Sequence, residues 1–297
     1  MLFSCVDPID IPLGGNSDWV VFGYLGEGKP PVIFVYGVSL ARNQLIYNYD
    51  AKISVTDETT QQTYELRVAI NEDLNKIYPS EYPFGEDALG NLVYYTSNEF
   101  VPIEGRSYQI DFDLSEEEKG VSNVEIPASI NFSEVEMVTN NSGVTRLLMS
   151  INDAPEKNYY KWEVKIDQNI AIPVLEVDSL SGDSSTLFTD QQFFVEFMPN
   201  NFISEEQIEE NDNIFRLNLS ASLIDFENVE ENYELNVRLR HYGKEVVEYF
   251  ESIREQNTGS LYDPFIEPIF IKSNIDGVIG LIGTYSYSES TLLEYQP

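Results

Sequence analysis

The sequence predicts an all-β fold: two β-sandwich (Ig-like) domains, with one amphipathic helix inserted near residues 244–256. Three observations point there. Apolar and polar residues alternate at period two in segment after segment, which gives a strand one buried and one wet face. Aromatics make up 13% of the 297 residues, with 19 Tyr and 17 Phe, and together with Val, Ile and Thr they favour a pleated backbone. Only one long stretch has apolar residues at helical spacing.

The chain opens Met1-Leu2-Phe3-Ser4-Cys5. Leu-Phe-Ser-Cys resembles a lipobox, with an apolar residue three before the Cys and a small residue directly before it. In such proteins the thiol takes a diacylglycerol and a peptidase cuts before the Cys, so Cys5 is expected to carry a lipid. A signal peptide also has a basic n-region and about 7–15 apolar residues. Neither is present here, and Met1–Ser4 are read as the tail of a lost signal. Val6 to Gly15 contains two prolines and two glycines and reads as an extended tether. Residues 1–17 are therefore assigned to anchor and tether.

The first sandwich is expected over residues 18–115. Trp19 to Leu25 and Val32 to Tyr36 are short apolar runs separated by the turn residues Gly26 to Pro31. Ile53 and Val55 alternate with Lys52, Ser54 and Thr56. Tyr108, Ile110, Phe112 and Leu114 alternate with Gln109, Asp111 and Asp113. Antiparallel sheets with one wet face stack naturally as a sandwich. Between these strands, residues 71–98 read as a long irregular loop, and long loops are often functional. Its aromatics, Tyr78, Tyr82, Phe84, Tyr94 and Tyr95, are the candidate ligand-binding surface, since aromatic rings stack on sugars and peptides.

Ser115-Glu116-Glu117-Glu118-Lys119-Gly120 is charged and ends in Gly, so the domain junction is placed there. A second β-rich domain is expected over 121–297. Its strands include Tyr159 to Ile166 and Leu235, Val237 and Leu239 alternating with Asn236, Arg238 and Arg240. From Lys244, Val246, Val247, Phe250 and Ile253 fall on one helical face. Asn257 and Gly259 supply a stop. A short helical turn is expected at Ser204, with Gln207 completing a capping box.

Charge narrows the function classes. There are 51 acidic and 17 basic residues, a net charge of −34. That field repels phosphate backbones, which argues against nucleic-acid partners. One His and one Cys cannot build a His- or Cys-based zinc site. A Ser–His–Asp triad would have to use His241, which reads as structural, and no nucleophile elbow occurs. No catalytic residue, metal site or cofactor is assigned, and the chain is read as no enzyme. The Asp- and Asn-rich stretches at 178–183 and 211–213 offer oxygen ligands for calcium, though neither has EF-hand spacing.

Several blocks resemble one family. They are Trp19 to Leu25 with Pro30-Pro31-Val32, Tyr49 to Asp57, Gly105 to Ile110, Asn158 to Val164, Leu187 to Asp190, and Ser273-Asn274-Ile275-Asp276-Gly277 running on to Gly283. They are similar to the Bacteroidota lipoproteins of domain-of-unknown-function family 4249. Val278 and Ile282 stand where that family more often has Gly and Phe. The resemblance implies an exported lipoprotein anchored at the outer membrane, at the cell surface or, alternatively, on the periplasmic face, and a place beside TonB-dependent receptors in nutrient uptake. It implies no catalytic residues. A second reading is a structural or adhesion module that binds calcium; a third is a carboxylate-dependent hydrolase.

Overall fold

The structure is a computed structural model, which describes residues 19–39, 44–70, 93–130, 132–139, 144–151, 159–166, 171–177, 185–188, 195–196, 203–204, 214–220, 233–259 and 272–295. The first strands are β1 (Val20–Gly26), β2 (Val32–Ser39), β3 (Gln44–Tyr47), β4 (Lys52–Asp57), β5 (Gln62–Glu65), β6 (Arg67–Ile70) and β7 (Val93–Thr96). Next come β8 (Ser107–Asp113), β9 (Lys119–Glu125), β10 (Phe132–Thr139), β11 (Val144–Ile151), β12 (Tyr159–Ile166), β13 (Ala171–Val177) and β14 (Ser185–Phe188). The last are β15 (Val195–Glu196), β16 (Ile203–Ser204), β17 (Ile214–Ser220), β18 (Tyr233–Tyr242), β19 (Ile279–Tyr287) and β20 (Thr291–Tyr295). One helix, α1 (Lys244–Gly259), lies between β18 and β19. The all-β class and a helix at the expected place are as the sequence predicts. The capping box at Ser204–Gln207 lies largely outside the described residues.

The described strands form three sheets. An 11-stranded sheet runs β15-β12-β18-β19-β1-β2-β7-β6, with β16 on β12, β20 on β18 and β3 on β2. A four-stranded sheet runs β5-β4-β8-β9, and a five-stranded sheet runs β10-β11-β17-β13-β14. The expected division at residues 115–121 does not hold. Ser115 to Glu118 is the turn of the β8–β9 hairpin, with Asp113 opposite Lys119. Leu114 N–H donates to the Glu118 carbonyl at 3.0 Å, and Ser115 Oγ accepts from Glu118 N–H at 3.1 Å. A Ser-led acidic run with a nearby glycine is hairpin chemistry as much as linker chemistry. The expected domains 18–115 and 121–297 also share a sheet, because β1 lies between β2 and the C-terminal β19.

The large sheet is covered on both faces. Val21, Leu25, Ile33 and Val35 pack with Ile53, Val55, Ile110 and Phe112 of the four-stranded sheet. On the other face Phe22, Tyr24, Phe34, Leu281 and Tyr285 pack with Val246 of α1. The sequence follows this geometry. β4 and β8 alternate buried residues with more accessible ones, whereas β1 is buried nearly throughout. Each fully buried Val, Leu, Ile or Phe contributes about 1.5–3 kcal/mol.

Ser273 to Gly280 locks β19 against its neighbours. Asn274 brackets one residue: its Nδ2 donates to the Ile282 carbonyl at 2.8 Å and its Oδ1 accepts from Ile282 N–H at 2.9 Å. Ser273 Oγ accepts from Gly280 N–H at 3.1 Å, and Ser122 Oγ donates to the Asn274 carbonyl at 2.9 Å. Asp276 bridges to Val121 by paired backbone hydrogen bonds. Gly280 has φ +153°, and a Cβ there would stand 1.8 Å from the Val21 carbonyl oxygen. Only glycine lets the two backbones approach so closely.

At the β4–β5 turn, Asp57 Oδ1 accepts from Thr59 and Thr60 N–H at 2.8 and 3.1 Å, and Oδ2 pairs with Arg106 Nη1 at 2.8 Å. Burial pushes this carboxyl up, but the hydrogen bonds from Thr60, Arg106 and Thr59 and the Arg106 charge outweigh it and hold it below its ordinary value.

Asn274→Ala leaves the Ile282 backbone groups without their side-chain partner, and we expect a loss of about 1–3 kcal/mol by urea unfolding. An unchanged midpoint would contradict the lock. Because the folded pKa of Asp57 is depressed, its stabilisation is present above its unfolded value of 3.8 and lost as pH falls through the lower folded value. Asp57→Asn should therefore lower Tm at pH 7, with the deficit shrinking toward pH 2. A deficit that is constant across that range would rule out the ionic contribution.

Candidate functional site

β18 and β19 bring basic and aromatic residues onto the face beneath α1. Their register places Arg240 opposite Tyr287 and Tyr242 opposite Tyr285. Residues opposite one another, and those two apart along each strand, share a face. Arg240 is 0% exposed. Its Nη1 donates to Tyr242 Oη at 2.7 Å, and its Cζ lies 4.7 Å from the centre of the Tyr285 ring. The rings of Tyr242 and Tyr287 are each 5.5 Å away. Arg238 stacks 3.9 Å over Tyr287, where the Lys29 ammonium is also 5.3 Å away. Lys161, opposite Arg240 on β12, lies 5.6 Å from Tyr242.

Four of the 17 basic residues thus meet three tyrosine rings. Each such contact is worth about 0.5–2 kcal/mol, more where water is excluded. Space for the rings comes from Gly26: a Cβ there would lie 2.1 Å from the Tyr285 ring. Arg240, Tyr242, Tyr285 and Lys161 are buried, while Lys29, Arg238, Tyr287 and Glu27 form a partly exposed rim. Glu27 Oε2 accepts from Tyr287 N–H at 3.1 Å. The rim residues thus pack mainly on one another, with Arg238 and Lys29 over the Tyr287 ring. Among the described residues no group of three or more His, Cys, Asp or Glu is placed to hold a metal ion.

The sequence-derived site residues divide in two. Cys5, Tyr78, Tyr82 and Phe84 lie outside the described residues, as do both calcium-candidate stretches. Tyr94 and Tyr95 are strand residues of β7, 4% and 1% exposed, and belong to the core instead of a loop surface. Tyr95 Oη donates to the Asn48 carbonyl at 2.9 Å, and burial pushes its phenol up to about 12. Tyr94 packs on Phe34 with ring centres 6.1 Å apart. His241 faces the other side of β18, its Nδ1 2.7 Å from the Ala128 carbonyl and its ring 5.1 Å from Tyr160.

The tyrosine cage was not singled out from the sequence, although Arg238-x-Arg240-x-Tyr242 and Tyr285-x-Tyr287 carry its signal. Period two places each set on one face. That face reads as wet only until a helix is known to cover it.

Glu245 stands in the first turn of α1 and accepts from Thr284 Oγ1 at 2.6 Å. Burial pushes its carboxyl up; the Thr284 hydrogen bond pulls the other way and does not cancel it.

These sheets and the helix define an all-β, multi-sheet protein with one covering helix. The chain belongs to the family described as domain of unknown function DUF4249, whose model matches residues 6–291. No curated protein matches it. Among solved structures, a DUF4785 family protein from Legionella pneumophila is similar at 8% identity and a TM-score of 0.24, covering 74% of this chain and 51% of its own. This chain therefore spans about half the length of that protein. The MSCRAMM ACE of Enterococcus faecalis, described as binding its ligands by a collagen hug, is similar at 11% identity and a TM-score of 0.15, covering 76% and 89%. Likenesses this low assign no function. Among the described residues no helix is long and apolar enough to cross a membrane.

The raised pKa of Glu245 sets a sign. Stability from this group is full below its unfolded value of 4.5 and is lost as pH rises through the folded value. Glu245→Gln keeps an acceptor for Thr284 without the charge. We expect it to melt above the parent at pH 7–8 and with it at pH 3.5. A lower Tm at pH 7 would show that the carboxylate is needed there.

Proposed function

We propose that this protein is an exported lipoprotein, held at the outer membrane of a Bacteroidota cell by a lipid on Cys5 and displayed at the cell surface. There it serves as a non-catalytic binding or accessory component of a TonB-dependent nutrient-uptake system. The observation that carries the reading is Leu2-Phe3-Ser4-Cys5: the only cysteine of the chain follows a small residue and an apolar one at lipobox spacing. Membership of the DUF4249 family supports it, since the blocks that resemble this family imply exported lipoproteins encoded beside such receptors.

The geometry suits an anchor. About 15 residues separate Cys5 from Val20, and they reach at most roughly 50 Å when extended. That length lets the sheets stand clear of the headgroups while the lipid holds them near a receptor.

Expression from its own gene in its native host, with an alkyne-tagged palmitate, tests the anchor. The parent should incorporate label and sediment with outer membranes, and Cys5→Ala should do neither; an unlabelled parent would refute lipidation. Affinity capture from the same membranes should recover a TonB-dependent receptor. Repeated failure, with no thermal shift across a glycan and peptide panel, would refute the accessory role.

A further inference from the structure

β1 and β19 run side by side and parallel over seven register pairs, from Val20↔Ile279 to Gly26↔Tyr285. The other edge of β1 is antiparallel to β2, from Val20↔Tyr36 to Tyr24↔Val32. After Tyr287 the chain stays on the same edge of β18. Arg240 pairs with Tyr287, then Val237 with Thr291, and so on to Tyr233 with Tyr295. Ser288 spans the gap: its N–H donates to the Leu239 carbonyl and its Oγ accepts from Leu239 N–H, both at 2.8 Å. Residues 279–295 therefore advance in one direction, away from Val20. The start of β1 and the end of β20 lie at opposite ends of the large sheet, roughly 50 Å apart along the strands.

This arrangement decides how a pull is resisted. Force applied at Val20 against an opposing force at Tyr295 slides β1 past β19 along the strand direction. The evenly spaced bonds of a parallel ladder are then stretched together and do not open one at a time. The bonds to β2 are sheared in the same motion. The start of β19 is itself held, by Asn274 on Ile282 and by the Val121–Asp276 bridge.

We propose that the β1–β19 ladder is a mechanical clamp. It carries tension between the lipid at Cys5 and a partner held at the far end of the sheet, so that the fold transmits a pull without opening. This rests on the reading of Cys5 as the lipid attachment site.

Single-molecule pulling on the unlipidated full-length chain tests the clamp. Handles on Cys5 and on a cysteine appended after Pro297 load the ladder in shear. Handles on Cys5 and on Asp276→Cys, an exposed position just before β19, load both strands from the same end and unzip them. Lys272→Cys, also exposed, replaces Asp276→Cys if that chain does not fold. At equal pulling speed the shear geometry should rupture at a force at least about twice that of the unzipping geometry, because forced unfolding follows the barrier that is loaded. Equal forces, or β1 leaving first at low force in the shear geometry, would overturn the clamp. The handles bypass the lipid, so equal forces would refute the clamp and leave the anchor standing. Absence of palmitate label would refute the anchor and leave the measured force unchanged.

Discussion

The large sheet depends on the parallel pairing of β1 with β19. It places an N-terminal strand between two strands from opposite halves of the chain, β2 and β19. Both faces of β1 are thereby buried, one against the four-stranded sheet and one beneath α1. The pairing needs Gly280, because any side chain there would meet the Val21 carbonyl. It also needs the start of β19 held in register, which Ser273 and Asn274 achieve with side-chain bonds to backbone groups. The block that most resembles the family is thus a structural lock, and its residue types follow from the hydrogen bonds they make.

Charge is distributed with a similar economy of contacts. With 17 basic residues against 51 acidic ones, each cation placed inside the fold matters. Arg106 holds the β4–β5 turn through Asp57. Arg240 and Lys161 are buried against tyrosine rings, whose faces attract a cation. Asp57, buried, and Glu245, half-buried, show two fates of an acid drawn into the fold. Asp57, given backbone donors and a guanidinium, is stabilised as an anion; Glu245, given chiefly one hydroxyl, is pushed toward its neutral form.

What could be read beforehand follows from how local each signal is. Ile53, Val55, Ile110 and Phe112 announce their inward face because β4 and β8 each have one wet side. α1 is legible for the same reason at period 3.6. Partnership between β1 and β19 is not, since no local pattern names a strand so distant in sequence. The Ser115–Gly120 run misleads because a hairpin turn and a domain linker have the same composition. Arg240 misleads because alternation assumes one uncovered face, and here the helix and the tyrosines of β19 cover that face. Tyr94 and Tyr95 read as the end of a loop, yet they belong to a strand whose two faces are both packed. The role proposed for Cys5 stands apart, since it rests on the short Leu2–Cys5 context and not on the fold.

The same pairing governs the order in which the molecule can form. Tyr287 meets Glu27 across 260 residues of chain. A polypeptide emerging from a ribosome or a translocation channel presents β1 first and its partner nearly last. Contacts of such high sequence separation form slowly, because the intervening loop must be closed before they give anything back. Until β19 arrives, β1 has one bare edge and apolar residues on both sides, a surface that invites mispairing with other chains. Protection of that strand during synthesis and transit is therefore a requirement built into the topology, and folding is completed only when the last strands are delivered.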